Sequence, residues 1–182
     1  MISFALRMCT GVAEPPVYAA LIQQGTRGPV RKDVTPIFAN AAAFQALIQD
    51  LVRLTAPFEP TAVAALDALG FVLGGAYAQA AGLPLILLRK PGKLPVAAAE
   101  RRFIDYTGES KALELATDRP LPGQRVLILD DWIQTGAQIA AAIALIEAAQ
   151  GVVVGLAAIQ IRENDQTRPI LARYPWVRLL PA

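Results

Sequence analysis

The sequence predicts an α/β fold, a parallel sheet covered by helices on both faces. Apolar runs such as "RVLIL" and "GVVVGLAAIQI" are continuous rather than alternating, as strands buried on both faces require. An Ala-rich segment of helical length, residues 137–150, separates these two runs, which makes a strand–helix–strand unit. The 182 residues are 54% hydrophobic and 18% charged, enough for one large core and too apolar for a disordered chain. A single domain is therefore expected over residues 1–182.

Each element follows from local signals. Residues 40–58 carry Phe44, Leu47, Ile48, Leu51 and Leu54 at helical spacing, with Asn40 as a cap and Pro57 near the end. The run "AVAAL", residues 62–66, ends at Asp67. Residues 70–81, rich in Gly and Ala, read as a tightly packed helix stopped by Gly82. "LPLILLRK", residues 83–90, is a buried-strand candidate, and residues 90–110 read as an exposed excursion. "KALELA" is a possible strand and "LPGQ" a turn. "RVLILDD" is a strand, residues 137–150 a helix and residues 151–161 another strand.

Composition excludes several chemistries. There is no histidine, so a Ser-His-Asp triad, a Cys-His pair and a His-ligated zinc site are all ruled out. Proton transfer falls to Asp, Glu, Lys or Tyr. Cys9 is the only cysteine, which excludes an internal disulfide and fits a reducing compartment. The first residues lack a basic start followed by an apolar core, so no signal peptide is expected, and the location expected is cytoplasmic. Net charge is +2 without a long basic run, so no nucleic-acid partner is expected. Two apolar stretches, residues 61–88 and 137–161, are broken by Asp67, Pro84, Glu147 and several glycines. A membrane span needs about 20 uninterrupted apolar residues, so no membrane partner is expected either.

"VLILDDWIQTG" places Asp130 and Asp131 at the carboxyl end of a strand, just before a helix. A helix start offers unpaired N–H groups and a partial positive charge, which suit a phosphate. Thr135 adds a hydroxyl, and Gly136 lets the backbone approach closely. Carboxylates only accept hydrogen bonds, so the pair suits the hydroxyls of a ribose. The residues alone leave a second reading open, in which Asp130 caps the helix and Asp131 is solvated.

The same stretch resembles the phosphoribosyl-pyrophosphate (PRPP) motif of type I phosphoribosyltransferases. Further segments resemble the adenine phosphoribosyltransferase family: "RKDVTPIF" its early segment, residues 65–95 its pyrophosphate loop and following helix and strand, "IDYTG" its mobile loop and "TRPIL" its C-terminal hood. The likeness runs over residues 29–181 in one order. It implies a core over about residues 29–161 and a small hood from residues 1–28 and 162–182. It further implies transfer of ribose 5-phosphate from PRPP to a purine base, adenine or related, with release of pyrophosphate. Asp130 and Asp131 would hold the ribose, and Gln134, Thr135, Gly136, Ala137 and Gln138 the 5-phosphate. Leu66, Asp67, Ala68, Leu69, Arg89, Lys90 and Lys93 would face the pyrophosphate, with Lys93 reaching toward a partner subunit in a homodimer. Arg31 and Lys32 would meet the base, and Asp105 would handle its proton, followed by Tyr106 as in the family. Mg2+ would travel with PRPP, held by substrate oxygens and water rather than directly by the protein. Without the resemblance, the cations around Lys90 read as a solvated loop and Asp105 as a surface aspartate.

The sequence departs from the family pattern at several of these positions. The pyrophosphate loop has Ala68 and Leu69 where the family has Ser and Arg, and an apolar side chain cannot replace a bidentate guanidinium. The phosphate turn has Ala137 and Gln138 for Gly and Thr, and Arg31 stands for an aromatic residue that stacks on the base. Asp105 stands for Glu and is shorter by one methylene, while Gln160 stands for the hood's Glu, with Glu163 nearby. Two further expectations follow: a non-catalytic sensor binding PRPP or a nucleotide, or an enzyme acting on another ribose 5-phosphate compound.

Overall fold

The computed structural model describes residues 16–25 and 32–180. Arg31 and Cys9 lie outside the described residues. A 3-10 turn at Val17–Leu21 leads into a small antiparallel ribbon, β1 (Gln23–Gln24) with β2 (Lys32–Asp33). Then come α1 (Thr35–Phe38) and α2 (Ala41–Thr55). Asn40 caps α2, its side-chain oxygen accepting from Ala43 N at 3.0 Å. The apolar spacing read from the sequence buries Leu47, Ile48, Leu51 and Leu54.

The chain continues through β3 (Ala62–Leu66), α3 (Leu69–Ala81) and β4 (Leu85–Leu88). Gly82 closes α3 in the left-handed region at φ 66°, as the stop signal predicted. Next are β5 (Ala98–Ile104), β6 (Ser110–Ala116), β7 (Arg125–Ile133), α4 (Ala137–Ala148), β8 (Val152–Ile161), α5 (Arg168–Arg173) and β9 (Trp176–Arg178).

Five strands form one parallel sheet in the order β4-β3-β7-β8-β9. One face packs on α1, α2 and α3 through Leu47, Leu51, Leu73, Tyr77, Val63 and Leu127. The other packs on α4 and the β5–β6 hairpin through Ile139, Ala142, Ile146, Ile128, Leu113 and Leu156. Burying each such Leu or Ile side chain stabilises the fold by about 2 kcal/mol. This two-sided burial explains why β3 is apolar at all five positions.

Three local expectations need correction. The stretch expected as an excursion contains β5, a full strand paired in register with β6 from Ala98–Ala116 to Ile104–Ser110. Most of its residues are exposed, so backbone pairing holds it, while Ala99 and Phe103 reach the core. Strand β7 does not stop at Asp131 but continues to Ile133, because Trp132 and Ile133 still pair with Gln160 and Ile161. Helix α4 ends at Ala148, since Gln150 turns into the left-handed region at φ 67°. Among the described residues no helix is long and apolar enough to cross a membrane. The two long apolar stretches are instead strands and helices of the same sheet.

Helix α3 crosses β3 so closely that a Cβ on Gly74 would stand 2.4 Å from the Ala65 Cβ. Gly74→Ala is therefore expected to destabilise the protein by about 1–3 kcal/mol through overpacking, read from the midpoint of urea unfolding. An unchanged midpoint would mean that α3 can shift freely over the sheet.

Candidate functional site

In a parallel sheet every carboxyl end lies on one edge, and a crevice opens where the chain's direction of travel across the sheet reverses. Here β3 leads outward to β4, while the later strands β7, β8 and β9 add on the opposite side. The crevice falls beyond β3 and β7. A cleft of about 560 Å³ occupies that position.

Strand β7 delivers the carboxylates. Asp130 is 6% exposed, its Oδ1 accepting from Asp131 N at 2.9 Å, and both residues line the cleft. Asp130 lies within the strand, paired with Ala158, six residues before the Gly136 that precedes α4, so it is not that helix's cap. Gln134, Thr135, Gly136 and Gln138 line the cleft as well. Ala137 is the first residue of α4 and is not among the cleft's walls.

Gly136 adopts φ 74°, and a Cβ there would meet Ile170 Cδ1 at 2.9 Å. Both facts demand glycine. The turn is held from behind by residues that the sequence did not single out. Asn164 Nδ2 donates to the Gln134 carbonyl at 2.7 Å. Thr167, 1% exposed, donates to the Arg162 carbonyl at 2.7 Å and accepts from Asn164 N at 2.9 Å. A side-chain amide bonding to a backbone thirty residues away leaves no local sequence pattern.

Strand β3 delivers the opposite wall, with Asp67, Ala68 and Leu69 lining the cleft. Leu66 is fully buried within β3 and faces no cleft. The peptide between Asp67 and Ala68 is cis. Leu69 opens α3 and also packs on the α1–α2 side of the core. Neither α3 nor α4 has a capping hydrogen bond from its N-cap side chain or an acid in its first turn. The Thr135 hydroxyl comes only within 3.4 Å of Ala137 N. Two helix starts thus present N–H groups and partial positive charge to one cleft.

The flanking cations divide. Arg89 and Lys90 approach the Asp67 carboxylate at 3.6 and 3.5 Å, but only Lys90 lines the cleft. Arg89 stacks over Phe71 instead, 5.7 Å from the ring centre. Lys93 lies on an exposed loop away from the cleft, and Lys32 lines its rim. Val34, Phe103, Trp132, Ile133 and Ile139 supply apolar wall that the sequence did not point to. Gln160 pairs with Trp132 in the sheet and does not line the cleft. Glu163 binds the buried Arg178 at 2.9 Å, which gives that cation a local partner.

Asp105 and Tyr106 reach the cleft from the tip of the β5–β6 hairpin. Asp105 Oδ1 accepts from Thr107 N at 2.8 Å, the Thr107 hydroxyl at 2.5 Å and Glu109 N at 3.1 Å. Its Oδ2 contacts the Lys111 ammonium. Lys111 first, then Thr107, holds the carboxyl well below the usual carboxylate range.

The fold and this cleft define a nucleotide-handling α/β domain that joins an acidic strand end to two open helix starts. Comparison with known proteins narrows the class. The phosphoribosyl transferase domain family matches residues 32–179. An adenine phosphoribosyltransferase of Desulforamulus reducens is 39% identical over 150 residues, covering 82% of this chain and 86% of the relative. One of Kineococcus radiotolerans is 38% identical over 152 residues, covering 84% and 82%. The crystal structure of adenine phosphoribosyltransferase from Thermoanaerobacter pseudethanolicus superposes with a TM-score of 0.82 at 30% identity, over 89% of this chain and 96% of that one. The Saccharomyces cerevisiae enzyme, solved with an imino-altritol bisphosphate and adenine, superposes at 0.79 with 26% identity, over 90% and 96%. The chain belongs to the phosphoribosyltransferase family, and within it to the adenine phosphoribosyltransferases.

The depressed Asp105 carboxyl has a pH signature. Its folded pKa lies below the unfolded value of about 3.9, so its stabilising contribution is complete above roughly pH 4. That contribution disappears as the pH falls from there through the folded value. The stability gap between wild type and Asp105→Asn is therefore expected to be constant from neutral pH to about 5 and to shrink only in stronger acid. An NMR titration of the Asp105 carboxyl carbon with a midpoint at or above that of a free aspartate would refute the assignment.

Proposed function

We propose that this protein transfers ribose 5-phosphate from PRPP to adenine or a related purine, releasing pyrophosphate. The observation that carries the reading is the Asp130–Asp131 pair followed, within one turn, by the Thr135–Gly136 start of α4. Carboxylates suited to accept from ribose hydroxyls line one cleft with N–H groups suited to a phosphate, the pair of features a ribose 5-phosphate needs. The relatives' names point the same way, and the yeast structure holds adenine.

In this reaction the bond from ribose C1′ to the pyrophosphate oxygen breaks, and its electron pair leaves with pyrophosphate. The bond from C1′ to the purine nitrogen forms, and that nitrogen's proton passes to a base. Positive charge builds on the ribose ring between the two events. Asp130 and Asp131 hold the hydroxyls and favour that charge. Gln134, Thr135, Gly136 and Gln138 bind the 5-phosphate through backbone N–H groups and the Thr135 hydroxyl. Asp67, Ala68, Leu69 and Lys90 face the pyrophosphate, with Arg89 orienting Asp67 from outside the cleft. Asp105 is the proton acceptor. Lys32 and the apolar side chains of Val34 and Trp132 border the base.

Mg2+ fits this cleft as an ion carried by PRPP. Among the described residues no group of three or more metal-binding side chains could hold it, so substrate oxygens and water would be its ligands. When bound, the ion would neutralise phosphate charge. We further read the protein as a single domain acting as a homodimer. Val72 on α3 and Leu87 on the edge strand β4 are apolar and exposed, which supports a covered face there.

Incubated with PRPP, Mg2+ and a panel of bases, the protein is expected to release pyrophosphate with adenine. Calorimetric binding of PRPP without release for any base would replace transfer by ligand sensing. Leu69→Arg is expected to tighten inorganic pyrophosphate binding by about tenfold, the worth of one charge-assisted contact. Unchanged affinity would show that the α3 start does not face pyrophosphate.

A further inference from the structure

We propose that Lys111 is an exchange cation of the active site. On this proposal its ammonium leaves Asp105 for the diphosphate of PRPP, and the departure bares the oxygen that takes the purine's proton. The inference rests on the phosphoribosyl-transfer reading and assigns a residue to which neither the sequence motifs nor the family pattern gave a role.

Three observations converge on this residue. The first is charge. Among the described residues the cations lining the cleft are Lys32, Lys90 and Lys111, and they face a larger number of aspartates. Lys90 already stands 3.5 Å from Asp67, and Leu69 supplies no charge. A diphosphate entering this cleft needs a further mobile cation, and Lys111 is half-exposed at its wall on a flexible stem.

The second observation is how the Asp105 carboxylate is divided. Oδ1 takes all three donors from its own turn, Thr107 N, the Thr107 hydroxyl and Glu109 N. Among the described residues Oδ2 is held by Lys111. Removing Lys111 leaves the turn anchored through Oδ1 and strips only Oδ2. A carboxylate pinned by one oxygen and open at the other is oriented to accept a proton.

The third is position. Lys111 lies on β6, directly across the hairpin from Phe103, and Phe103 also lines the cleft. Its other acidic neighbour, Glu109 at 3.5 Å, is an exposed side chain outside the cleft and does not compete for substrate. The ammonium therefore needs only side-chain rotation, with no movement of the hairpin backbone, to trade one anion for another. While it remains on Asp105 it occupies Oδ2, the oxygen that its own turn leaves open. Diphosphate binding thus comes before proton transfer and licenses it.

The test uses calorimetry with inorganic pyrophosphate plus Mg2+, and with AMP as a control ligand that lacks the diphosphate. Lys111→Met is expected to weaken pyrophosphate binding by about tenfold or more, as loss of a charge-assisted phosphate contact does. AMP binding should stay unchanged, and Lys111→Arg should bind pyrophosphate like wild type. Asp105→Asn should bind pyrophosphate at least as tightly as wild type, because Lys111 loses its competitor, while turnover falls. In steady state, Lys111→Met should raise KM for PRPP. Equal pyrophosphate binding by wild type and Lys111→Met would overturn the proposal. So would a parallel loss of AMP and pyrophosphate, which marks a merely structural lysine, or an Asp105→Asn variant weakened in step with Lys111→Met. A wild-type protein that binds pyrophosphate through Lys111 yet releases none from PRPP and adenine would instead overturn the transfer reading alone.

Discussion

The close approach of helix α3 to strand β7 is the constraint on which the site depends. A Cβ on Gly70 would stand 3.0 Å from Asp130 Oδ1 and 3.2 Å from the Leu129 carbonyl. The missing side chain lets the start of α3 lie tightly against the acidic end of β7, where a Cβ would push its neighbours by a few tenths of an ångström. That contact puts an open helix start, with its partial positive charge, beside a carboxylate that is almost fully buried. It also joins the two halves of the cleft, since Asp67–Leu69 comes from β3 and Asp130–Gly136 from β7. The parallel pairing of β3 with β7 then brings both turns to the same edge.

The rest of the molecule supports this arrangement from outside. On one face, the Thr55 hydroxyl and the Tyr77 hydroxyl meet at 2.8 Å in the core, tying α2 to α3. Burial pushes the Tyr77 phenol up from its ordinary value, so it stays neutral and serves that bond. On the other face, the loop before α5 braces the turn at residues 134–136 through Asn164 and Thr167. The β5–β6 hairpin rests on α4 through Ala99 and Phe103 and carries Asp105, Tyr106 and Lys111 to the cleft mouth. Scaffold and reactive groups thus share few residues, which lets the turn sequences change while the sheet stays as it is.

The departures from the family pattern acquire physical meaning in this setting. Leu69 faces the cleft and the core at once, so its side chain adds to packing at the α3 start where an arginine would add charge. Ala137 is not among the cleft's walls, so the loss of a glycine there removes no direct contact. Gln138 does face the cleft and brings an amide donor to it. Asp105 is shorter than Glu, but its turn is anchored by three local donors, which fixes where the shorter side chain sits. Glu163, near the position of the hood's acid, is already engaged by Arg178.

The α/β class, the α2 and α3 helices, the strands β3 and β7 and the Asp130–Gly136 turn were legible in the sequence. Each depends on local signals: an apolar run, a 3.6-residue period, a cap or a glycine with positive φ. The same signals read β7 two residues short, because Trp132 and Ile133 are strand only through their partners on β8. They read β5 as an excursion, because an exposed strand held by its neighbour has no apolar pattern of its own. Arg89 and Lys90 look equivalent as adjacent cations, yet packing over Phe71 turns one from the cleft and leaves the other in it. Asn164 and Lys111 could not be singled out at all, since their roles are set by how segments dock, and Thr167 stood out only as the first residue of the hood segment. The sequence by itself determined which residues offer acceptors, donors and a positive-φ glycine at the strand end, because that depends on side-chain chemistry and local backbone. Only the tertiary structure decided which of them share one cleft and which oxygen of Asp105 is held by which donor, because those are relations between elements that the chain brings together only on folding.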